Sequence, residues 1–89
     1  MTIARRLVLH GRVQGVFYRD WTVETAHTFG LSGWVRNRAN GTVEAHLEGA
    51  EDSVRRMIDA MRDGPPRAVV DRIEESAAEA ENSGKFERR

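Results

Sequence analysis

An α+β fold is predicted for this sequence from three observations along the chain. Apolar and polar residues alternate over residues 6–13 and 42–48, as they do in half-buried strands. Apolar residues recur three and four apart near residues 22–29 and 51–61, which is helical spacing. Asn40-Gly41 lies between two alternating runs and predicts a tight hairpin. With the strands argued below, the order β-α-β-β-α-β predicts a ferredoxin-like split βαβ sandwich, an antiparallel sheet with two helices on one face.

The first third of the chain predicts a strand, a loop and a helix. The strand covers residues 6–13, and one of its sides consists of Leu7, Leu9, Gly11 and Val13. Residues 14–18 begin with a polar residue and a glycine and predict a loop. The helix is predicted from the shared face of Thr22, Val23, Ala26 and Phe29. Gly30-Leu31 is a typical helix stop and predicts its end.

A hairpin and a second helix are predicted next. The hairpin joins residues 34–38 to residues 42–48, whose polar side is Thr42, Glu44, His46 and Glu48. The helix begins near Glu51, where negative charge favours the helix dipole. Its core stripe is Val54, Met57, Ile58 and Met61. Gly64-Pro65-Pro66 predicts its end.

The remaining residues predict one irregular strand and do not decide whether a second strand follows. Residues 68–75 predict a strand, and the three-residue spacing of Val70 and Ile73 breaks its alternation in the way a β-bulge does. Residues 76–84 are small and acidic and predict a loop. Residues 86–89 are either a short edge strand or unpaired.

Composition limits the classes of function. The length predicts a single domain over residues 1–89. Without cysteine, the chain has no disulfide, thiolate metal site or thiol nucleophile. The 14 basic and 14 acidic side chains cancel, which argues against a nucleic-acid partner. No apolar run is long enough for a membrane span and residues 1–6 lack the apolar region of a signal peptide, so a cytoplasmic protein with no membrane partner is expected.

The stretch between the first strand and the first helix has the features of an anion site. A loop that enters a helix N-terminus presents unpaired N–H groups. Gly15 can adopt the backbone angles that turn successive N–H groups toward one point. Arg19 lies where the helix begins, and its planar guanidinium matches phosphate oxygens. These features predict phosphate binding, although a glycine before a helix and a solvated arginine are each common.

Two long motifs resemble the acylphosphatase family. The first is GRVQGVFYR at residues 11–19, and the second is GWVRNRANGTVEAHLEG at residues 33–49. Gly64-Pro65-Pro66-Arg67-Ala68 continues the resemblance, which covers about residues 7–73. The family's activity, expected here by resemblance, is hydrolysis of a carboxylic–phosphoric mixed anhydride to a carboxylate and inorganic phosphate.

The resemblance also implies a role for each matching residue. Main-chain amides of a phosphate-binding loop wrap the phosphoryl group, and this loop consists of Gln14, Gly15, Val16, Phe17, Tyr18 and Arg19. Arg19 binds the phosphoryl oxygens as a catalytic residue, and Asn37 orients the attacking water. No metal and no cofactor are expected. The expected partners are a small acyl phosphate, as substrate, and inorganic phosphate, as product and competitive inhibitor. The protein is expected to be a monomer.

Other readings stay open for several residues. The three histidines lack metal-ligand spacing and are expected to be solvated or packed. Tyr18, Arg36 and Arg38 either line the substrate path or pack against neighbouring residues. The family usually ends in a short strand with an apolar residue between an aromatic residue and an arginine. Here Phe86 and Arg88 are kept but Glu87 stands between them, so pairing of the last strand is in doubt. The assignment of Arg19 and Asn37 is unaffected, because neither motif lies in that segment.

Two rival functions share this element order. An RNA-binding module of the RRM type stacks bases on aromatic residues of its central strands, and residues 7–13 and 42–48 contain none. A carbamoyl-phosphate-handling domain, like the one in hydrogenase maturation proteins, belongs to a longer chain. The length of 89 residues therefore favours a stand-alone enzyme.

Overall fold

The computed structural model describes residues 1–89 and contains five strands and two helices. In chain order they are β1 (Thr2–Arg12), α1 (Tyr18–Thr28), β2 (Ser32–Asn37), β3 (Val43–Ala50), α2 (Glu51–Asp63), β4 (Val69–Ala77) and β5 (Phe86–Arg88). The strands form one sheet in the order β4-β1-β3-β2-β5. The predicted ferredoxin-like arrangement is confirmed. The first four strands pair antiparallel, but β5 runs parallel to β2, so the sheet is mixed and not antiparallel throughout.

One face of the sheet and the two helices enclose the core. The alternation read from the sequence places every second strand residue on this face, and the fully buried ones are Leu7, Leu9, Val35, Val43, Ala45 and Leu47. The predicted stripe of α2 packs against them through Val54, Met57, Ile58 and Met61. Helix α1 contributes Tyr18 and Ala26. No helix has both the length and the apolar character needed to span a membrane.

The predicted β-bulge lies between β1 and β4. His10 faces Arg72 and Gly11 faces Val70, so Asp71 is the extra residue on β4. Gly11 has a φ of 127°, and a Cβ at this position would overlap the main-chain oxygen of Val69. A glycine is therefore required at this position of β1, opposite the bulge.

The last strand forms in spite of Glu87. Phe86 faces Gly33 across the parallel pairing and is buried in the core. Glu87 points to the opposite face, where Lys85 and Arg89 pair with its carboxylate at 2.9 and 3.2 Å. One apolar residue is thus enough to anchor this three-residue strand, because the residue after it does not need to enter the core.

The face of the sheet away from the helices buries carboxylates. Glu44 accepts hydrogen bonds from Nε of Arg6 and Nε of Arg36, at 2.5 and 2.6 Å. Burial alone would raise the pKa of Glu44, but these two guanidinium groups lower it below its usual value. The predicted polar residues of this strand therefore do share the side opposite the core. Their side chains are nevertheless buried, because β3 is a central strand.

Glu48 on the same strand holds the segment that leads to β5. Its carboxylate accepts hydrogen bonds from the main-chain N–H groups of Glu81 and Asn82, at 2.8 and 3.1 Å. His46 lies 2.9 Å from the same carboxylate. The hydrogen bond with His46 and those from the two N–H groups hold the pKa of Glu48 below its usual value, although burial opposes them.

Replacing Glu48 with glutamine should destabilise the fold by about 1–3 kcal/mol at neutral pH, because the amide has one acceptor oxygen where the carboxylate accepts from Glu81 and Asn82 with one oxygen each. The wild-type protein should also lose stability as the pH falls below about 4.3, the ordinary glutamate pKa, since the folded carboxylate has the lower pKa. Urea unfolding between neutral and acidic pH measures both effects. Glu79→Gln, at an exposed position, is the matched control. Equal behaviour of the two variants would contradict this role for Glu48.

Candidate active site

A cleft of about 360 Å³ opens where the β1–α1 loop, the end of β2 and the end of β5 meet. Its lining consists of Val13, Gly15, Phe17, Tyr18, Arg19, Asp20, Asn37 and Arg88. The structure thus brings together five of the residues predicted from sequence, which are Gly15, Phe17, Tyr18, Arg19 and Asn37. Gln14 and Val16 belong to the same loop but do not line the cleft.

The loop at residues 13–17 is held by its own apolar side chains. Val13 and Val16 are 1% and 7% exposed and belong to the core. Between and after them, Gly15 and Phe17 adopt left-handed backbone conformations with φ of 72° and 64°. Gly15 does so without steric cost, whereas Phe17 does not. The two buried valines therefore fix the path of the backbone that lines the cleft.

This path leaves a run of main-chain donors unpaired. None of the main-chain hydrogen bonds outside the helices and strands uses an N–H of residues 15–17 as its donor. Phe17 is the N-cap of α1 and makes no side-chain cap, and the first α1 residues, 18–20, have no carbonyl one turn earlier in the helix. Successive N–H groups at a helix N-terminus form an anion-binding concavity.

The side chain of Gln14 connects the loop to the hairpin between β2 and β3. Its Nε2 donates to the main-chain oxygens of Arg38 and Thr42, at 2.8 and 2.9 Å. Arg38 directly follows Asn37, the last residue of β2. Gln14 therefore sets the distance between the amide-lined loop and Asn37.

Asn37 carries an unusual buried atom. Its Oδ1 is the only buried side-chain nitrogen or oxygen in residues 1–89 without a hydrogen-bond partner. A buried acceptor without a partner costs about 1–3 kcal/mol. Asn37 also lines the cleft, so this unpaired acceptor belongs to the same site as the unpaired N–H groups.

Arg19 lies in the first turn of α1 and is half-buried. Its Nη1 donates to the main-chain oxygen of Arg89 at 3.0 Å, which holds the guanidinium at the cleft. Arg88 lines the cleft as well, and its Nη1 lies 2.8 Å from Oδ1 of Asp20. The end of β5 and the residue after it therefore contact the cleft, although neither of the two motifs lies in that segment.

Arg88 and Asp20 were not identified from the sequence as site residues. The available signal for Arg88 was its place in the family pattern, two residues after Phe86. Its contribution became visible only from the parallel pairing of β5 with β2, which brings the end of the chain to α1.

Tyr18 has a mainly structural contact. It is 1% exposed, and its hydroxyl donates to the main-chain oxygen of Met61 at 2.6 Å, linking the two helices. Burial raises the pKa of Tyr18 far above its usual value, so the phenol stays protonated. Arg36 and Arg38 do not line the cleft, and Arg36 pairs with Glu44 instead.

The charged groups at the cleft are two cations and one anion. Arg19 and Arg88 are the cations, and Asp20 is the anion. Across residues 1–89, no group of three or more His, Cys, Asp or Glu side chains lies close enough to hold a metal ion. The arrangement thus offers amide donors, one guanidinium free to face an anion and one amide oxygen free to accept.

Comparisons with known proteins agree with this geometry. The acylphosphatase family model matches residues 5–88. An acylphosphatase of Azorhizobium caulinodans is 54% identical over 84 residues, which cover 94% of this chain and 90% of the relative.

Solved structures extend the likeness to the fold. An acylphosphatase from Coxiella burnetii is 31% identical, with a TM-score of 0.95 over 99% of this chain and 93% of that one. The acylphosphatase from Bacillus subtilis is 32% identical, with a TM-score of 0.94 over 100% and 99%. The chain therefore belongs to the acylphosphatase family, whose activity is the hydrolysis of acyl phosphates.

Proposed function

We propose that the cleft hydrolyses an acyl phosphate without a metal ion and that Arg19 and Asn37 are its catalytic residues. The observation that carries this proposal is the buried, unpaired Oδ1 of Asn37, in a cleft that is also lined by Gly15 and Phe17, whose main-chain N–H groups are unpaired. The hydrolysis of a phosphoryl compound requires N–H groups that donate hydrogen bonds to the phosphoryl oxygens and an acceptor that orients the attacking water, together in one cleft.

The phosphoryl group binds to main-chain N–H groups of the proposed phosphate-binding loop, which consists of residues 14–19. These donors need no reorganisation during the reaction, because Val13, Val16 and Gln14 already hold the loop in place. Preorganised donors stabilise charge that develops in the transition state more effectively than water does.

Arg19 supplies the permanent positive charge. One of its nitrogens is held by the main-chain oxygen of Arg89, which leaves the rest of the guanidinium to bind phosphoryl oxygens. The charge balances the anionic phosphoryl group, and the planar geometry orients it.

Asn37 aims the attacking water. Its Oδ1 accepts a hydrogen bond from the water and directs a lone pair of the water oxygen at phosphorus. An amide is not a base, so the water loses its protons to the product phosphate or to solvent. A new bond forms between the water oxygen and phosphorus, while the bond from phosphorus to the acyl oxygen breaks and its electron pair leaves with the carboxylate.

The chemistry of the substrate explains why so few groups suffice. A carboxylate is a stable leaving group and does not need a proton from the protein. Phosphoryl transfer passes through a loose transition state, in which positioning and charge stabilisation are the main requirements. The loop and Arg19 provide the charge stabilisation, and Asn37 provides the positioning.

Exhaustive chelation should leave the rate of acyl phosphate hydrolysis unchanged. The only carboxylate that lines the cleft is Asp20, and Arg88 already neutralises it, so no set of oxygen ligands is free for a magnesium ion. Turnover of benzoyl phosphate, measured with and without chelator, tests this. A loss of activity that added magnesium restores would overturn the metal-free proposal.

Inorganic phosphate is proposed to compete with the substrate, because it fits the same N–H donors. A monomer is supported by the exposed large apolar side chains, which are only Met1, Phe17 and Val69, from three separate segments. A cytoplasmic location is also proposed, and the composition of the chain supports it, since it contains no cysteine for disulfide bonds.

A further inference from the structure

Phe17 has an environment that protein stability does not explain. Its side chain is 70% exposed, and it is neither in the core cluster nor among the apolar residues packed against that cluster. Burial of an aromatic side chain is a main source of stabilisation in a small domain, and Phe17 provides almost none.

The backbone conformation at Phe17 also disfavours a phenylalanine at this position. With φ of 64° and ψ of 24°, Phe17 is in the left-handed region, which a bulky side chain disfavours and a glycine adopts freely. Gly15, two residues earlier in the same loop, shows that the chain uses glycine for this conformation. An aromatic residue that is both exposed and strained indicates contact with a ligand.

The position of Phe17 in the cleft indicates which part of the ligand its side chain contacts. Its N–H belongs to the run of donors proposed to bind the phosphoryl group, and its side chain lines the same cleft. The acyl group is joined to phosphorus through one oxygen, so it must lie within a few atoms of those donors. Val13 and Tyr18, the other apolar lining residues, are each 1% exposed, so Phe17 is the one that presents a large apolar surface.

We propose that the Phe17 ring contacts the acyl group and selects acyl phosphates with a flat, apolar acyl group over those with a small one. The inference rests on the proposed function of the cleft. Its physical basis is the stacking of one planar group on another, together with removal of both apolar surfaces from water.

The test compares two substrates in three variants. Phe17→Gly and Phe17→Asn both tolerate the left-handed backbone and remove the ring, so strain cannot account for their effect. Phe17→Tyr keeps the ring. The measured quantity is the ratio of kcat/KM for benzoyl phosphate to kcat/KM for acetyl phosphate. We expect this ratio to fall about 10-fold in the first two variants and to recover in the third.

Val69→Ala is the matched control, because Val69 is an exposed apolar residue outside the cleft. Its ratio should equal that of the wild type. An equal loss on both substrates in Phe17→Gly, or an unchanged ratio, would overturn the inference and assign Phe17 only to loop geometry.

A binding measurement separates this inference from the proposed function. If the wild-type protein hydrolysed neither substrate, the proposed function would fail. Calorimetric titration with phenylphosphonate and methylphosphonate then decides the inference alone. A preference for phenylphosphonate that is lost in Phe17→Gly supports it, and equal affinities in wild type and variant contradict it.

Discussion

Arg19→Lys should lower kcat/KM for an acyl phosphate by about 10²–10³-fold, although it preserves the positive charge. Lysine is a point donor on a flexible chain, whereas the Arg19 guanidinium is a rigid fork held from one side by the main-chain oxygen of Arg89. A lysine amine at this site cannot contact that oxygen and two phosphoryl oxygens in the same geometry. Steady-state kinetics with benzoyl phosphate measures the loss.

The inhibition constant for inorganic phosphate gives a second readout of the same change. It should rise in Arg19→Lys and rise further in Arg19→Ala, while urea unfolding shows that both variants remain folded. Arg56→Lys is the matched control, since Arg56 is exposed on α2 and outside the cleft. Activity close to wild type in Arg19→Lys would show that a point charge is enough and that the proposed fork geometry is wrong.

Asn37→Ala should lower kcat by about a hundredfold and leave the phosphate inhibition constant almost unchanged. The physical reason is that a misplaced water affects the transition state but not the binding of an anion to the loop and Arg19. The loss is therefore expected in kcat and kcat/KM together, with little change in KM.

The same variant should not lose stability. Alanine removes the one buried acceptor that lacks a partner, so the free energy of unfolding is expected to stay level or to rise by up to about 1 kcal/mol. Urea unfolding measures this. A clear destabilisation together with weaker phosphate binding would instead mean that Asn37 supports the structure of the loop.

The order of elements and the bulge were predictable because their signals are local. The alternation of residues 42–48, the Asn40-Gly41 turn and the helix stop at residues 64–66 each act over a few residues. The spacing of Val70 and Ile73 reflects the extra residue on β4 directly.

The burial of Glu44, His46 and Glu48 was not predictable from the same alternation. Alternation states that these side chains share a face, but not that β3 lies at the centre of the sheet. Nor does it show that the segment before β5 crosses this face and donates its N–H groups to Glu48. Both facts depend on contacts between distant parts of the chain.

Some residues of the candidate site could be predicted from the sequence, and others could not. The loop and Asn37 lie within two continuous motifs, so a resemblance identifies them together. Arg88 and Asp20 are 68 positions apart in sequence and meet only because β5 pairs with β2 beside α1. The role of Gln14 is intermediate, since the motif includes it but only the structure shows that its side chain bonds the hairpin.

The central claim is that Asn37 positions a water molecule and does not deprotonate it. The pH dependence of kcat in Asn37→Asp tests this most directly, because aspartate has the same shape, can act as a base and adds a negative charge beside an anionic phosphoryl group. We predict that Asn37→Asp is no more active than Asn37→Ala, binds phosphate more weakly, and shows no rise in rate as the new carboxylate ionises near its ordinary pKa of about 4. Full activity in Asn37→Asp, with a rate that increases through that pKa, would show that base catalysis suffices and would contradict the account.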